Sequence, residues 1–92
     1  LEDYWADALH SLRDLPNVID IRNTGLVGAV HLASRPDAPG VRGYEVFDGC
    51  FWGGAMVRCS GDIIAMSPPL TVEKAELDRL VDTLATVTRR TA

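Results

Sequence analysis

The feature that most constrains this chain is the spacing of its apolar residues, which changes period four times between the two ends. Helical spacing of three or four residues alternates with the two-residue spacing of half-buried strands. The spacing is helical over residues 1–13, 44–54 and 73–90, and alternating over 18–32 and 56–66. This order predicts a single α+β domain: a mainly antiparallel four-stranded sheet whose helices cover one face.

The first helix and the first hairpin follow directly from this spacing. Five apolar residues face one side of the helix, which we expect to end before Pro16. In the hairpin, Ile19 and Ile21 alternate with polar residues and are expected to point the same way. The helix positions concerned are Leu1, Trp5, Ala8, Leu9 and Leu12, and the second strand places Leu26, Gly28, Val30 and Leu32 on one side.

The second half of the chain is predicted to contain two short strands between two helices. The strands are 56–59 and 63–66, joined by a tight turn at 60–62, and Pro68 with Pro69 ends the sheet. Interior glycines make the middle helix weak, since each costs about 1 kcal/mol relative to alanine. Thr71 is the expected N-cap of the last helix, whose core face is Leu77, Leu80, Val81, Leu84 and Val87.

Composition excludes several classes of protein. The chain has 92 residues, 47% of them hydrophobic, which suffices for one core. Its net charge of −4 argues against a nucleic-acid partner, because phosphate binding requires a basic surface. The uncharged stretch 63–72 is too short to cross a bilayer, so no membrane partner is expected. Two cysteines without a signal peptide favour reduced thiols and a cytoplasmic protein.

The common signatures of catalytic and metal sites are missing from the sequence. His10, His31, Cys50 and Cys59 do not have the short spacings of zinc ligands, so no metal site is predicted. Cys59 has no histidine placed near it by a local pattern and is interpreted as a buried structural thiol. The glycines form no phosphate-binding loop, so no cofactor-binding residue is predicted either. Trp5 and Trp52 are interpreted as core or interface residues.

Arg58 is the residue that stands out. It lies in the middle of a predicted strand with apolar neighbours on both sides, so we expect a largely packed setting. A guanidinium in such a place needs an anionic partner or an open cleft. Two alternatives follow from the residues alone: an internal salt bridge, for example with an aspartate, or the binding of a carboxylate ligand.

Several segments in register resemble one family of enzymes. They are LPNVIDIRN (15–23), GLVGA (25–29), RGYE (42–45), MVRCSGD (56–62), SPPL (67–70) and the start of the last helix (73–80). Together they resemble the C-terminal small domain of class III, pyridoxal-phosphate-dependent aminotransferases, and most closely the omega-amino acid:pyruvate (β-alanine:pyruvate) branch. The chain departs from that pattern at Gly43, Gly49 and Gly53, which puts the rigidity of the middle helix in question.

The resemblance implies a role for one residue. In this family the arginine before the Gly-Asp turn pairs with the carboxylate of an amino or keto acid, and can swing aside for an apolar amine. Arg58 matches that position. A planar guanidinium on a long stem suits both tasks. Arg58 is therefore the expected substrate-binding residue, for amino acid, amine and keto-acid substrates.

The resemblance also implies what residues 1–92 do not contain. Transamination requires a lysine that forms a Schiff base with pyridoxal 5′-phosphate. The only lysine, Lys74, lies at the start of the last helix between glutamates and is not expected to be catalytic. We therefore expect a fragment of a homodimeric enzyme, without catalytic residues and inactive alone, whose partners are its own large domain and a second subunit. The alternative is a free-standing small α+β regulatory or ligand-binding module.

Overall fold

The structure, a computed structural model, describes residues 2–54, 57–68 and 72–91. Leu1, Met56, Pro69, Leu70 and Thr71, to which the sequence analysis gave roles, lie outside the described residues. The observed element order confirms the predicted α+β fold. The elements are α1 (Glu2–His10), a 3-10 turn (Ser11–Asp14), β1 (Val18–Thr24), β2 (Val27–Leu32), α2 (Val41–Trp52), β3 (Arg58–Ser60), β4 (Ile63–Met66) and α3 (Lys74–Arg90).

The four strands form one antiparallel sheet in the order β1-β2-β4-β3. Buried side chains alternate along the strands, and they share one face of the sheet with the buried faces of the helices. The strand residues in this core are Ile21, Val30, Leu32, Ile64 and Met66. The prediction of an antiparallel sheet covered by helices on one face is confirmed. Within residues 2–54, 57–68 and 72–91 no helix lies on the other face, which we call the open face.

The prediction that Ile19 and Ile21 point the same way is wrong. Val18 pairs with Leu32 and Asp20 with His31, so Ile19 is an extra residue in β1 that has no partner. Such a bulge reverses the alternation at one position. Val18 consequently packs against the core while Ile19 is 66% exposed.

Trp5 anchors α1 in the core, whereas the second tryptophan does not contribute to it. Trp5 is fully buried against Gly28 of β2. A methyl group at position 28 would lie 2.6 Å from Leu9 and 3.1 Å from the Trp5 ring, so only glycine permits this contact. Trp52, at the end of α2, is 78% exposed. The interpretation as a core residue is confirmed for Trp5. Trp52 lies outside the core, and its interpretation as an interface residue stays a prediction.

Gly49 of α2 and Gly53, the C-cap residue of that helix, are contact points between α2 and its neighbour α3. A methyl group at position 49 would lie 2.5 Å from Val87 of α3, and one at position 53 would lie 2.9 Å from Thr83. The two helices therefore approach more closely than larger side chains would allow. This packing, rather than intrinsic propensity, explains a helix that contains these glycines.

The last helix differs from its prediction at both its start and its buried face. It begins at Lys74 with Glu73 as the N-cap residue, and the Glu73 N–H donates to the Glu76 carboxylate at 3.3 Å. The N-cap is therefore Glu73, not Thr71. Leu80 is half-buried rather than part of the core, whereas Thr88 is buried. The buried residues are Leu77, Val81, Leu84, Val87 and Thr88.

Candidate functional site

Arg58 is the first residue of β3, which is an edge strand of the sheet. It pairs with Ala65 of β4, which lies between the buried residues Ile64 and Met66 and therefore points to the open face. Directly paired residues share a face, so the Arg58 side chain leaves β3 on the open face. Its position at the edge of the sheet also lets it line a cavity that extends to the helices. Arg58 is exposed, so the expectation of a packed position in the middle of a strand is wrong.

A cavity lies beside Arg58, between the C-terminal end of α2, the end of β4 and α3. Its volume is about 880 Å³. The lining combines charged residues with apolar ones such as Val57, Leu77 and Leu80. This size is enough for a small organic ligand. Among the described residues that line it, the charged ones are Arg58, Glu76, Arg79 and Asp82.

Arg58 belongs to neither of the ion pairs found among the described residues. Those pairs are Arg22–Asp20, with Nε and Oδ2 3.0 Å apart, and Arg35–Glu45. Within the described part of the chain, the structure does not contain the internal salt bridge that was one of the two alternatives. The open cleft is the setting that it does contain.

Asp62 lies at the other end of the same hairpin and has the opposite environment. One carboxylate oxygen accepts the Gly43 N–H at 2.8 Å, and the other accepts the Gly40 N–H at 2.9 Å and the Ser34 hydroxyl at 2.5 Å. Gly40 is the N-cap of α2 and provides no side-chain cap. Asp62 thus supplies from the β3–β4 turn the carboxylate that a helix N-terminus favours. We call this group of contacts the Asp62 clamp.

The clamp depends on a close approach of two backbone segments. A methyl group at position 43 would lie 2.1 Å from the Gly61 carbonyl oxygen and 2.8 Å from the Asp62 Cα. Gly43 therefore lets the β3–β4 turn press against the first turn of α2. Gly43, at which the chain departs from the family pattern, thus permits this close packing.

The pKa of Asp62 reports the balance of these contacts. Burial alone would raise the pKa of this carboxyl, because the charged form loses hydration. Hydrogen bonds from Ser34, Gly40 and Gly43, together with the nearby Arg42 guanidinium, outweigh burial and lower the pKa below its ordinary value. The clamp therefore holds Asp62 in its ionised form.

Arg42 is a buried arginine that the sequence analysis missed. Its Nη1 donates to the Ala33 carbonyl at 2.6 Å, and its Nε donates to the Thr91 carbonyl at 3.4 Å. The Thr91 carbonyl also accepts from Arg35 Nη2 at 3.1 Å. These two arginines stabilise the C-terminal end of α3, where carbonyls lack partners in the helix.

Both cysteines are free thiols in the structure. Burial raises the pKa of Cys50 to about 11. Partial burial, with a smaller contribution from the Asp62 charge, also raises the pKa of Cys59. A thiol with a raised pKa is a poor nucleophile at neutral pH. Cys59 is half-buried rather than buried, but its raised pKa agrees with a structural thiol.

The remaining polar candidates make local contacts. His10 Nε2 lies 2.8 Å from Asn23 Oδ1, between α1 and β1, and His31 lies on the open face of β2. Lys74 is exposed, and its Nζ lies 5.0 Å from the centre of the Tyr4 ring. Over residues 2–54, 57–68 and 72–91, no cluster of three or more metal-binding side chains is present. None of the helices described in these ranges is both long and apolar enough to span a bilayer.

Comparison with known proteins gives consistent matches in sequence and in structure. No family profile matches the chain. The chain is 53% identical over 87 residues to an omega-aminotransferase of Caulobacter vibrioides, covering 95% of this chain and 20% of that relative. It is 40% identical over 82 residues to the beta-alanine–pyruvate aminotransferase of Pseudomonas aeruginosa, covering 89% of this chain and 18% of that relative.

The fold matches the same kind of protein. An omega transaminase from Pseudomonas jessenii, solved as a thermostable sixfold mutant, superimposes with a TM-score of 0.91 at 28% sequence identity. The match covers 99% of this chain and 22% of that one. The chain thus spans about one fifth of the length of the relatives that it matches. Over its own length, the chain belongs to the omega-aminotransferase and beta-alanine–pyruvate aminotransferase family.

Proposed function

We propose that this chain is the small-domain part of a pyridoxal-phosphate-dependent omega-amino acid:pyruvate aminotransferase and that Arg58 binds the substrate carboxylate. The observation that carries the proposal is the environment of Arg58: exposed, on the open face, and beside a cavity of about 880 Å³. A guanidinium in this position is available to an anion from outside the domain. Its planar fork binds a carboxylate through two charge-assisted hydrogen bonds.

Binding of the substrate carboxylate assists the reaction at the other end of the substrate. It fixes one end of an amino or keto acid and thereby orients the other end toward the reacting group. The apolar residues of the lining, such as Val57 and Leu80, suit a substrate without a carboxylate once the guanidinium has moved aside. Both substrate classes can then use one site, which is the behaviour expected of an enzyme with amine and keto-acid substrates.

The residues described here do not fit the cofactor. Pyridoxal phosphate supplies an electron sink for the transfer of an amino group and requires a lysine and several phosphate donors. Lys74 is exposed and sits over the Tyr4 ring, at the surface between α1 and α3. The cofactor lysine therefore has to come from outside this chain. We expect the isolated chain to be inactive and its active form to include the large domain and a second subunit.

A hybrid enzyme provides the test. The chain would replace the 87 residues that it matches in the Caulobacter vibrioides omega-aminotransferase, and the relative would supply the remaining four-fifths. We expect the hybrid to transaminate β-alanine with pyruvate and the isolated chain to leave the free-aldehyde spectrum of the cofactor unchanged. An aldimine band in the isolated chain that is abolished by Lys74→Ala would contradict the proposal.

Two arginines that line the same cavity provide a matched pair of variants. Arg58→Leu should lower kcat/KM for pyruvate by roughly ten- to a hundredfold, because a charge-assisted pair contributes about 1.5–3 kcal/mol. Arg79→Leu, on α3, should change it less than about threefold. Equal losses would remove Arg58 from the substrate site. A free-standing ligand-binding module, the alternative function, would bind carboxylates alone but give an inactive hybrid.

A further inference from the structure

The hydrogen bonds accepted by the Asp62 carboxylate come from outside its own hairpin. Gly61 and Asp62 form the two-residue turn between β3 and β4. Among the described residues, the donors to the carboxylate lie in the loop after β2 and at the start of α2: the Ser34 hydroxyl and the Gly40 and Gly43 N–H groups. These bonds therefore fix where the turn lies against the rest of the domain, rather than the conformation of the turn itself.

The backbone of the turn is held in the same place. The Asp62 carbonyl accepts the Leu32 N–H, at the end of β2, at 2.8 Å. A methyl group on Gly43 would lie 2.1 Å from the Gly61 carbonyl oxygen, so the turn is in direct contact with the first turn of α2. This end of the β3–β4 hairpin is thus fixed against both β2 and α2.

The other end of the hairpin has fewer constraints. β3 is an edge strand of three residues, and among the described strands it pairs with β4 alone. Arg58 is its first residue and lies opposite Ala65. The register of a hairpin is set by its turn, and a slip of one residue moves every side chain to the opposite face. The position of the Arg58 side chain therefore depends on a turn that lies four residues away.

α2 connects the Asp62 clamp to the cavity. The helix begins beside the Asp62 carboxylate. Gly53 and Gly54, which follow its last residue, line the cavity together with Arg58. A helix of 12 residues is about 18 Å long, and four residues of strand span about 13 Å. β3 thus packs along α2, with its turn at the start of the helix and Arg58 beside the cavity toward the other end.

We infer that Asp62 is a positioning residue for Arg58: by tying the β3–β4 turn to the start of α2, it sets where the guanidinium meets a substrate carboxylate. The inference rests on the proposed function, in which Arg58 binds that carboxylate. A bidentate pair requires two N–H groups to reach two oxygens at once, so it tolerates little displacement of the guanidinium. A residue that does not contact the substrate therefore changes how well the substrate is bound.

Asp62→Asn in the hybrid enzyme is the first variant. Asparagine has nearly the same shape but one oxygen acceptor in place of two, so it cannot accept from Gly40 and Gly43 on separate oxygens. The second-order rate constant for the half-reaction with pyruvate should fall roughly five- to thirtyfold, because a small displacement of a binding group is costly. The rate constant for an aryl-alkyl amine, which has no carboxylate, should change less than about twofold.

Leu12→Ala is the control for a loss of stability. Leu12 is buried in the core and belongs neither to the Asp62 clamp nor to the lining of the cavity. Its substitution should lower the urea midpoint at least as far as Asp62→Asn does, because it leaves a void in the core. Both half-reactions should keep their rate constants within about twofold. A selective loss with pyruvate in Leu12→Ala would assign the effect to stability and overturn the inference.

A double-mutant cycle separates positioning from a general structural effect. In the Arg58→Leu background, Asp62→Asn should lower the rate constant for pyruvate by less than about a further twofold, because the group that it positions is gone. Losses that multiply across the two substitutions would overturn the inference, as would equal losses for pyruvate and the amine in Asp62→Asn. If Arg58→Leu itself impairs both substrates equally, the proposed function fails and the inference falls with it. A selective Arg58→Leu with an unselective Asp62→Asn contradicts the inference alone.

Two other variants disturb the clamp without changing Asp62. Gly43→Ala moves the turn from the side of the helix, and Ser34→Ala removes one of the three hydrogen bonds. They replace Asp62→Asn if that hybrid does not accumulate. Both should impair pyruvate selectively, by roughly two- to fivefold for the milder Ser34→Ala. Unselective losses in both variants, or unchanged rate constants for pyruvate in both, would overturn the inference.

Discussion

Arg58 and Asp62 lie four residues apart on one hairpin, yet their surroundings are opposite. Asp62 is buried, and its two oxygens accept three hydrogen bonds from one loop and one helix. Arg58 is exposed at a sheet edge, beside a cavity, and makes no ion pair with a described residue. A charged group whose partners are all internal stabilises the fold, whereas one without them is free for a ligand. The difference separates a structural end of the hairpin from the end that we propose binds a carboxylate.

The first test of this difference removes each of the two charged groups in turn. Asp62→Ala leaves two N–H groups at the start of α2 without an acceptor and should lower the free energy of unfolding by roughly 2–4 kcal/mol. Arg58→Leu should change it by less than about 0.5 kcal/mol. Urea unfolding of both variants gives the comparison. Similar losses for the two would mean that Arg58 is also a structural residue.

A second substitution tests the close contact that makes the clamp possible. Gly43→Ala adds a methyl group 2.1 Å from the Gly61 carbonyl oxygen, and the turn or the helix must shift. Overpacking of this kind should cost about 1–3 kcal/mol. Asp48→Ala, at an exposed position of the same helix, is the control and should have little effect. If Gly43→Ala is as stable as the control, the helix is not held by the turn.

The smallest expected effect is the part of the loss of stability at acid pH that comes from the Asp62 carboxyl. Because the pKa of Asp62 is lower in the folded chain than its ordinary value of 3.8, its ionised form stabilises the fold fully above that value. This contribution is lost as the pH falls from there through the lower folded pKa. Asp62→Asn should therefore lose less stability than the wild type between neutral pH and pH values below about 3.8. If the free energies of unfolding of the two proteins change in parallel with pH, the Asp62 clamp is not the source of the acid dependence.

The sequence predicted the order of the elements because spacing alone distinguishes helices from strands. It failed where the backbone departs from regular spacing, as at the bulge that turns Ile19 outward. It also failed where partners are distant along the chain. Nothing near Arg42 indicates that the Thr91 carbonyl is 49 residues away, or that Asp62 caps a helix that begins 21 residues earlier. Periodicity describes one element at a time and does not record such pairs.

The candidate site was predicted in part. Family resemblance singled out Arg58, whereas its neighbours led to the wrong expectation of a packed position. The error arose because Val57 and Cys59 are only half-buried and β3 is a short edge strand. The cavity could not be predicted, since α3 and the end of α2 meet Arg58 only in three dimensions.

The most direct test of the central claim compares two half-reactions of the hybrid enzyme carrying Arg58→Leu, after the variant has been shown to be folded. Single-turnover rates would be measured with pyruvate, which has a carboxylate, and with an aryl-alkyl amine, which has none. We expect the second-order rate constant for pyruvate to fall roughly ten- to a hundredfold. The second-order rate constant for the amine should fall much less, or rise. Equal losses in both half-reactions would show that Arg58 does not recognise the carboxylate.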